Sequence, residues 1–174
     1  MYSLIAAEAA IFTIFVVAYI FYIGKSVTGP QPRDVLHVPI FLTICLLSSS
    51  LTIHVAATQL NGGKVRSFAL WWLLTIALGA VFLARTIREW RHLIYEEGLT
   101  IQTNLFGTTY YSLVGLHGFH VTVGLLALTT VLLFTLRGGV GQQHAERIEV
   151  LSIYWHFVDV VWVVVFIVVY IIGC

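Results

Sequence analysis

Charged side chains are scarce in this sequence. Only 10% of its 174 residues are Asp, Glu, Lys or Arg, whereas 59% are hydrophobic. A soluble domain carries roughly 25% charged residues, so this chain has too few of them to cover a globular surface. The sequence therefore predicts an integral membrane protein. The formal net charge of +1 also argues against nucleic acid as a partner, because nucleic-acid binding needs a basic surface.

Cysteine is also scarce, and its placement argues against thiol-based metal chemistry. The two cysteines are Cys45, inside an apolar run, and Cys174, the last residue. The sequence contains no CxxC or CxxCH motif, so we expect neither a cysteine metal site nor covalently attached haem. We also expect no cleavable signal peptide, because the first apolar run is long enough to span a bilayer.

Long apolar runs are what the sequence has in abundance. A membrane-spanning helix needs about 20 apolar residues. Five runs reach that length, at residues 3–23, 38–60, 68–87, 109–136 and 150–172. We therefore predict an all-α integral membrane protein, in which residues 1–174 form a single domain with a bundle of five transmembrane helices. Five spans would place the two termini on opposite sides of the membrane.

The segments between the runs are polar and contain helix breakers. Pro30 and Pro32 interrupt the first linker, and Gly62 and Gly63 predict a tight turn in the second. The third linker, residues 88–108, is predicted to be the longest. Lysine and arginine do not reveal the orientation, because four of the nine lie on the N-terminal side and five on the other.

One carboxylate falls within the first predicted span. Glu8 lies about 7 Å along the helix from the start of the apolar run, at about 1.5 Å per residue. A carboxylate at this depth is expected to be protonated or to be paired inside the bundle. The alternative is that the span begins later in the sequence, which would leave Glu8 near the lipid headgroups.

Two histidines one turn apart occur in the fourth predicted span. His117 and His120 are three residues apart and share a helical face. Three glycines lie around them: Gly115, Gly118 and Gly124. Small residues allow helices to approach closely, so we predict a helix-packing face on which the histidines form hydrogen bonds. A metal or haem site is the alternative, but it would need ligands from other helices, and spacing does not tie His54 or His156 to the pair.

The last predicted span contains a histidine and an aspartate. His156 precedes Asp159 by three residues and Trp155 precedes it by four, so both can reach the carboxylate on one helical face. Glu149 lies two turns before His156, near the membrane boundary. Such a group can satisfy its own polar atoms in lipid, so we expect a polar contact that joins helices. A proton relay is the alternative, but the spans hold few acids: Glu8, Asp159 and, at an edge, Glu149.

A cluster of charges ends the third predicted span. Its members are Arg85, Arg88, Glu89, Arg91 and Glu96. We expect this cluster to form a face that is either solvated or at the level of the lipid headgroups. Arginine and an indole such as that of Trp90 suit this depth, so Arg85, Arg88 and Trp90 are candidate contacts to a phospholipid headgroup.

Three motifs, taken in chain order, resemble one protein family. They are IAAEAAIFTIF at residues 5–15, FGTTYY at 106–111 followed by GLHGFHV at 115–121, and YWHFVDVVW at 154–162 preceded by Glu149. Nearly the whole chain resembles subunit III of the haem–copper respiratory oxidases. It covers the last five of the seven helices of longer members, and Glu8 looks like the family's membrane carboxylate.

The resemblance implies a structural role inside a redox enzyme. It implies that the chain has no catalytic residue, haem, copper or other metal, and that it packs on subunit I, which holds the haems and the active-site copper. Subunit II, a small subunit IV and a respiratory supercomplex are further implied partners. It also implies stabilisation of the enzyme through turnover, support for proton uptake, and contact with membrane lipids, with phospholipid as a bound ligand.

The resemblance also implies a location and a role for the last span. The location is the inner or plasma membrane of a prokaryote, with the N-terminus in the cytoplasm and the C-terminus outside. His156 and Asp159 are expected to neutralise one another, or to hydrogen-bond across to another helix such as that of His117 and His120. The contact would hold the bundle in one register.

Three other functions stay open at this stage. A five-helix accessory protein of nitric oxide reductases belongs to the same superfamily and would share the motifs. A free-standing di-haem membrane cytochrome is disfavoured by the histidine spacing, and a small transporter is disfavoured because no inverted repeat is visible. Whether the electron donor is cytochrome c or a quinol is not encoded here, because donor binding belongs to other subunits.

Overall fold

Five long helices make up most of the chain that the structure describes. A computed structural model describes residues 2–25 and 39–173. The helices are α1 (Tyr2–Tyr22), α2 (Ile40–Asn61), α3 (Val65–Tyr95), α4 (Leu105–Leu136) and α5 (Ala145–Phe166). A short 3-10 helix, Gln142–His144, precedes α5, and a π-helical turn, Ile167–Ile172, continues it. Within residues 2–25 and 39–173, five helices are long and apolar enough to cross a membrane, which confirms the predicted all-α five-helix membrane fold.

Two helices are longer than the apolar runs within them. Helix α3 continues to Tyr95, well past residue 87, and α4 begins at Leu105 rather than at residue 109. Most of the predicted third linker is therefore helical. An apolar run marks the part of a helix at hydrocarbon depth, but the backbone hydrogen bonds continue into polar sequence until a breaker or a cap ends them. At the start of α4, the side chain of Asn104 provides that cap by accepting a 2.8 Å hydrogen bond from Gly107 N.

Most of the first linker lies outside the described residues, whereas the second linker lies within them. Pro30 and Pro32 of the first linker lie outside the described residues, as do Val38 and Cys174. The second linker is a tight turn between Asn61 and Val65. In it, Gly63 has a φ of 73°, a left-handed conformation that favours glycine.

The helices pack around α2, α4 and α5. Helix α2 lies against α3 most extensively and also against α5, and α4 contacts α1, α3 and α5. Helix α1 lies at the periphery, where it packs on α4 and less closely on α5. Large aromatic side chains fill the interior; the three fully buried tryptophans are Trp72, Trp155 and Trp162.

The indole of Trp155 joins four helices. A Cβ atom added to Gly79 on α3 would lie 2.9 Å from the ring, and one added to Gly124 on α4 would lie 2.8 Å from it. The ring Nε1 donates a 2.9 Å hydrogen bond to Ser49 Oγ on α2. We call this arrangement of Gly79, Gly124 and Ser49 the Trp155 seat. Only glycine permits the ring to lie this close to two backbones.

The three glycines of the predicted packing face of α4 therefore have different neighbours. Gly124 belongs to the Trp155 seat, whereas a Cβ atom on Gly115 would lie 3.3 Å from the ring of Trp90. A Cβ atom on Gly118 would meet no atom within 4 Å among the described residues. Close approach to another helix thus depends on two of the three glycines.

Candidate functional site

Glu8 and His120 form a polar contact between α1 and α4. Glu8 Oε2 lies 3.0 Å from His120 Nε2, and the two side chains are 24% and 9% exposed. Glu8 is therefore paired within the bundle, as the first of its two sequence interpretations expected. Phe12 packs on the imidazole at a centroid distance of 5.1 Å, which shields the contact on one side.

The second hydrogen bond of His120 limits where hydrogens can lie in the contact between Glu8 and His120. His120 Nδ1 lies 2.8 Å from the carbonyl oxygen of Leu116, and a carbonyl only accepts, so Nδ1 carries a hydrogen. Two arrangements then satisfy the Nε2 contact. Either Nε2–H donates to an ionised Glu8, or a protonated Glu8 donates to a neutral imidazole. The pair therefore holds one proton between two helices in either arrangement.

His117 does not share the environment of His120. Its ring lies 5.1 Å from that of Trp162 and 5.8 Å from that of Phe82, and it is 1% exposed. Neither ring nitrogen has a hydrogen-bond partner within the described part of the chain. The expectation that both histidines form hydrogen bonds is wrong for His117, because three residues along a helix rotate a side chain by about 60° and direct it to other neighbours.

A row of side-chain hydrogen bonds joins α2 to α5. The groups on α5 are two indoles and one imidazole, and the partner of each on α2 is a hydroxyl group. The three pairs are Trp162 Nε1 with Thr43 Oγ1 at 3.2 Å, Trp155 Nε1 with Ser49 Oγ at 2.9 Å, and His156 Nδ1 with Ser50 Oγ at 2.5 Å. We call this row the hydroxyl seam. It fixes the register of the two helices, since sliding either one would break all three contacts.

The expected pairing of Asp159 is wrong. Asp159 is 3% exposed, and neither of its carboxylate oxygens lies within 3.5 Å of a well-aligned donor among the described residues, although Ser50 of α2 is close enough to interact with the carboxylate. His156 and Trp155 were expected to reach this carboxylate along their own helix, but both bond to serines of α2. A hydroxyl can donate and accept, so it satisfies an imidazole or an indole without placing a charge in the bundle. His156 does bond across to another helix, although not to the helix of His117.

A cavity lies at one end of the hydroxyl seam. It has a volume of about 240 Å³, and its lining includes His54, Glu149, Ser152 and His156. The spacing of these residues in the sequence did not associate His54 with the other three. Ser152 Oγ also lies 3.4 Å from His156 Nε2. In the described parts of the chain, no cluster of three or more His, Cys, Asp or Glu side chains is arranged to hold a metal ion.

A second polar cluster, which the sequence analysis did not predict, lies near the C-terminal end of α3. Tyr170 donates a 3.4 Å hydrogen bond to Glu89 Oε1, and the hydroxyl of Tyr110 lies 3.5 Å from that of Tyr170. Glu89 of the charged cluster is therefore half-buried and accepts a hydrogen bond from within the bundle. Tyrosines in otherwise apolar spans were the available signal, because a buried phenol hydroxyl needs a partner.

The three residues expected to contact lipid headgroups lie in two different environments. Arg85 and Arg88 are exposed. Trp90 instead packs edge-on against Tyr111 at a centroid distance of 5.4 Å, beside Gly115. The expected contact of Trp90 with lipid headgroups is therefore replaced by packing between α3 and α4.

Comparison with protein-family models gives one match along nearly the whole chain. The family model described as cytochrome c oxidase subunit III matches residues 5–174. The chain belongs to this family. The resemblance seen in the three sequence motifs is thereby confirmed. Subunit III proteins are parts of multi-subunit oxidases, so the chain is an accessory subunit of a haem–copper oxidase, and the complex that contains it is an oxidoreductase.

Relatives of this subunit III chain come from oxidases named for different electron donors. It is 34% identical over 171 residues to cytochrome c oxidase subunit 3 of Bacillus sp. (strain PS3), covering 97% of this chain and 82% of the relative. It is 31% identical over 171 residues to quinol oxidase subunit 3 of Bacillus subtilis, covering 97% and 83%. It is 33% identical over 168 residues to cytochrome bo(3) ubiquinol oxidase subunit 3 of Pseudomonas aeruginosa, covering 95% and 80%.

Proposed function

We propose that this chain acts as a non-catalytic, structural subunit that packs on subunit I of a proton-pumping terminal oxidase and stabilises it through turnover. The observation that carries the proposal is that polar side chains within the spans form hydrogen bonds to other helices. His120 bonds to Glu8 of another helix, and His156 and two tryptophans bond to hydroxyls of α2. Polar side chains that hold helices together are what a structural subunit needs. We propose further that the haems and copper of the complex reside on its partner subunits.

The exposed face of α1 supports subunit I as the main partner. Ile14 is 68% exposed and Val17 and Phe21 are each 59% exposed, although all three lie in a membrane-spanning helix. Such a face suits packing against other apolar helices. Subunit II, a small subunit IV and a larger respiratory supercomplex are proposed as further partners on the basis of the family alone.

We propose a prokaryotic plasma or inner membrane as the location, with the N-terminus in the cytoplasm and the C-terminus outside. In that orientation the contact between Glu8 and His120 lies in the cytoplasmic half of the bundle, because Glu8 is near the start of α1. That is the side from which an oxidase takes up protons. This placement supports an auxiliary role in proton uptake by subunit I.

The relatives favour an oxidase over the other functions considered. Those compared above are named as cytochrome c or quinol oxidase subunits, which favours oxygen reduction over the nitric oxide reductase alternative. Because both donors occur among them, subunit III similarity does not select the donor. The donor is therefore to be read from the co-purifying subunits.

The proposal is tested by purifying the membrane complex that contains this chain in mild detergent. Co-purifying subunits are identified by mass, and a reduced-minus-oxidised spectrum and oxygen uptake are recorded. We expect a large multi-span partner with haem bands, and oxygen uptake that declines faster during turnover once this chain is removed. A chain that purifies alone with its own haem band would contradict the proposal, as would nitric oxide reduction without oxygen uptake.

A further inference from the structure

We propose that the cavity between α2 and α5 receives an arginine or lysine side chain from a transmembrane helix of another subunit. The cavity lies at one end of the hydroxyl seam and is lined by two histidines, a glutamate and several smaller polar residues. Such a contact requires only that the chain is part of a multi-subunit oxidase. It is separate from the apolar face of α1, which is proposed above to meet subunit I.

Part of the cavity lies within the hydrocarbon layer. The apolar run of α2 ends at residue 60, and that of α5 begins at residue 150. His54 and His156 each lie six residues inside those limits, which is about 9 Å at about 1.5 Å per residue. Glu149 lies at the limit itself, so the cavity extends inward from the membrane boundary.

The imidazole of His54 is exposed at this depth. Leu51, nearly one turn away on the same helix, is 71% exposed. His54 forms no hydrogen bond with any residue of the described ranges. Lipid chains would leave its ring nitrogens unsatisfied, and ionisable residues in membrane spans face protein or water. The outer face of α2 around His54 is therefore suited to a protein contact rather than to lipid.

The polar groups left open in the cavity favour a cation. Glu149 is exposed and forms no ion pair with any described residue, because the ion pairs found there involve other acids. A carboxylate oxygen and the unprotonated nitrogen of a neutral imidazole both accept hydrogen bonds. A guanidinium or ammonium group only donates them, so it complements Glu149 and His54 together. A second carboxylate would instead be repelled by Glu149.

The cavity is large enough for the end of a long side chain. Its volume of about 240 Å³ far exceeds the roughly 10–15 Å³ that a single water molecule needs. Ala57 and Ile153 form an apolar part of its wall, which suits the methylene groups of arginine or lysine. His156 is bonded to Ser50 of the hydroxyl seam, so one side of the cavity is already ordered without a partner. Such preorganisation lowers the entropic cost of binding.

The first experiment identifies the occupant by photo-crosslinking in the purified complex that contains this chain. A benzophenone amino acid replaces Leu51 or Thr58, which are exposed on α2 on either side of His54. The same amino acid at Leu126 of α4 is the matched control, because Leu126 is 64% exposed at a similar depth and does not line the cavity. We expect Leu51 and Thr58 to crosslink to one helix of another subunit, beside an arginine or lysine, and Leu126 to crosslink elsewhere.

The second experiment tests the charge of the cavity. Glu149→Gln removes its carboxylate, and Glu146→Gln is the matched control, because it removes an exposed carboxylate about one turn earlier in α5 that does not line the cavity. Retention of this chain in the complex is measured during dilution in mild detergent. An ion pair in a partly enclosed site has a strength between those of exposed and buried pairs. We therefore expect Glu149→Gln to raise the dissociation constant about tenfold and Glu146→Gln to leave it unchanged.

Charge exchange separates a contact between subunits from a structural role within this chain. Glu149→Lys should release the chain further, and glutamate in place of the crosslinked basic residue of the other subunit should restore retention in that background. The exchange also decides the matter if Glu149→Gln does not assemble.

Three results would overturn this proposal alone. They are crosslinks from Leu51 and Thr58 to lipid only, equal retention of the two glutamine variants, and failure of the charge exchange to restore retention. A wild-type chain that purifies without any other subunit would overturn both this proposal and the proposed function.

Discussion

Substituting alanine for Gly124 tests how closely the Trp155 seat is packed. The new Cβ atom would lie 2.8 and 2.9 Å from two carbons of the indole, whereas ordinary contacts begin at 3.4 Å, so the ring would have to move by about 0.6 Å. Its Nε1 is bonded to Ser49 and its other edge lies against Gly79, which leaves little room for that movement. Overpacking of this kind costs about 1–3 kcal/mol.

The assay is unfolding of the complex-derived chain in mixed micelles with increasing SDS, followed by tryptophan fluorescence. Gly118→Ala is the matched control, because it makes the same change in the same helix where a Cβ atom meets no described atom within 4 Å. We expect Gly118→Ala to be neutral or slightly stabilising, since alanine favours a helix by up to about 1 kcal/mol over glycine. We expect Gly124→Ala to lower the free energy of unfolding, and Trp155→Phe to remove most of that effect in the double variant. Equal effects of the two alanine variants would refute the close packing of the seat.

Three further predictions concern the polar contacts. Glu8→Gln should keep a hydrogen bond to His120 and lose little stability, whereas Glu8→Leu should cost about 1–3 kcal/mol in the same SDS titration, because it leaves a buried nitrogen unpaired; equal losses would contradict the contact. Ser50→Ala should cost about 1 kcal/mol through the lost partner of His156, and an unchanged unfolding curve would argue against that bond. Replacing His117 and His120 together by glutamine should leave the haem difference spectrum of the intact complex unchanged; loss of a haem band with all subunits present would show that these histidines hold haem.

The fold was accessible from the sequence because it rests on length and hydropathy. Bilayer thickness fixes how long an apolar run must be, so the five spans are visible without any knowledge of packing. The helix ends were less accessible. The extension of α3 to Tyr95 depends on where the backbone stops being helical, and polar residues that follow an apolar run do not by themselves stop it.

The contacts within the bundle were only partly accessible. That Glu8 needs a partner follows from its burial, but the choice of His120 depends on how α1 is rotated against α4. For Asp159, spacing along one helix suggested His156 and Trp155, and the structure directs both to α2. Helical periodicity gives neighbours on the same helix, whereas the neighbours that matter here come from other helices, whose relative rotation is set by packing.

The Trp155 seat has a consequence for how the chain is made. Trp155 lies on α5, whereas Ser49, Gly79 and Gly124 lie on helices synthesised before it. Because synthesis proceeds from the N-terminus, these three residues are made before the indole that packs against them. A chain cut short before residue 155 would keep its earlier spans but would lack the indole that contacts all three residues. The packing of α2, α3 and α4 around this position is therefore completed only by α5, whose indole occupies the space left by the two glycines.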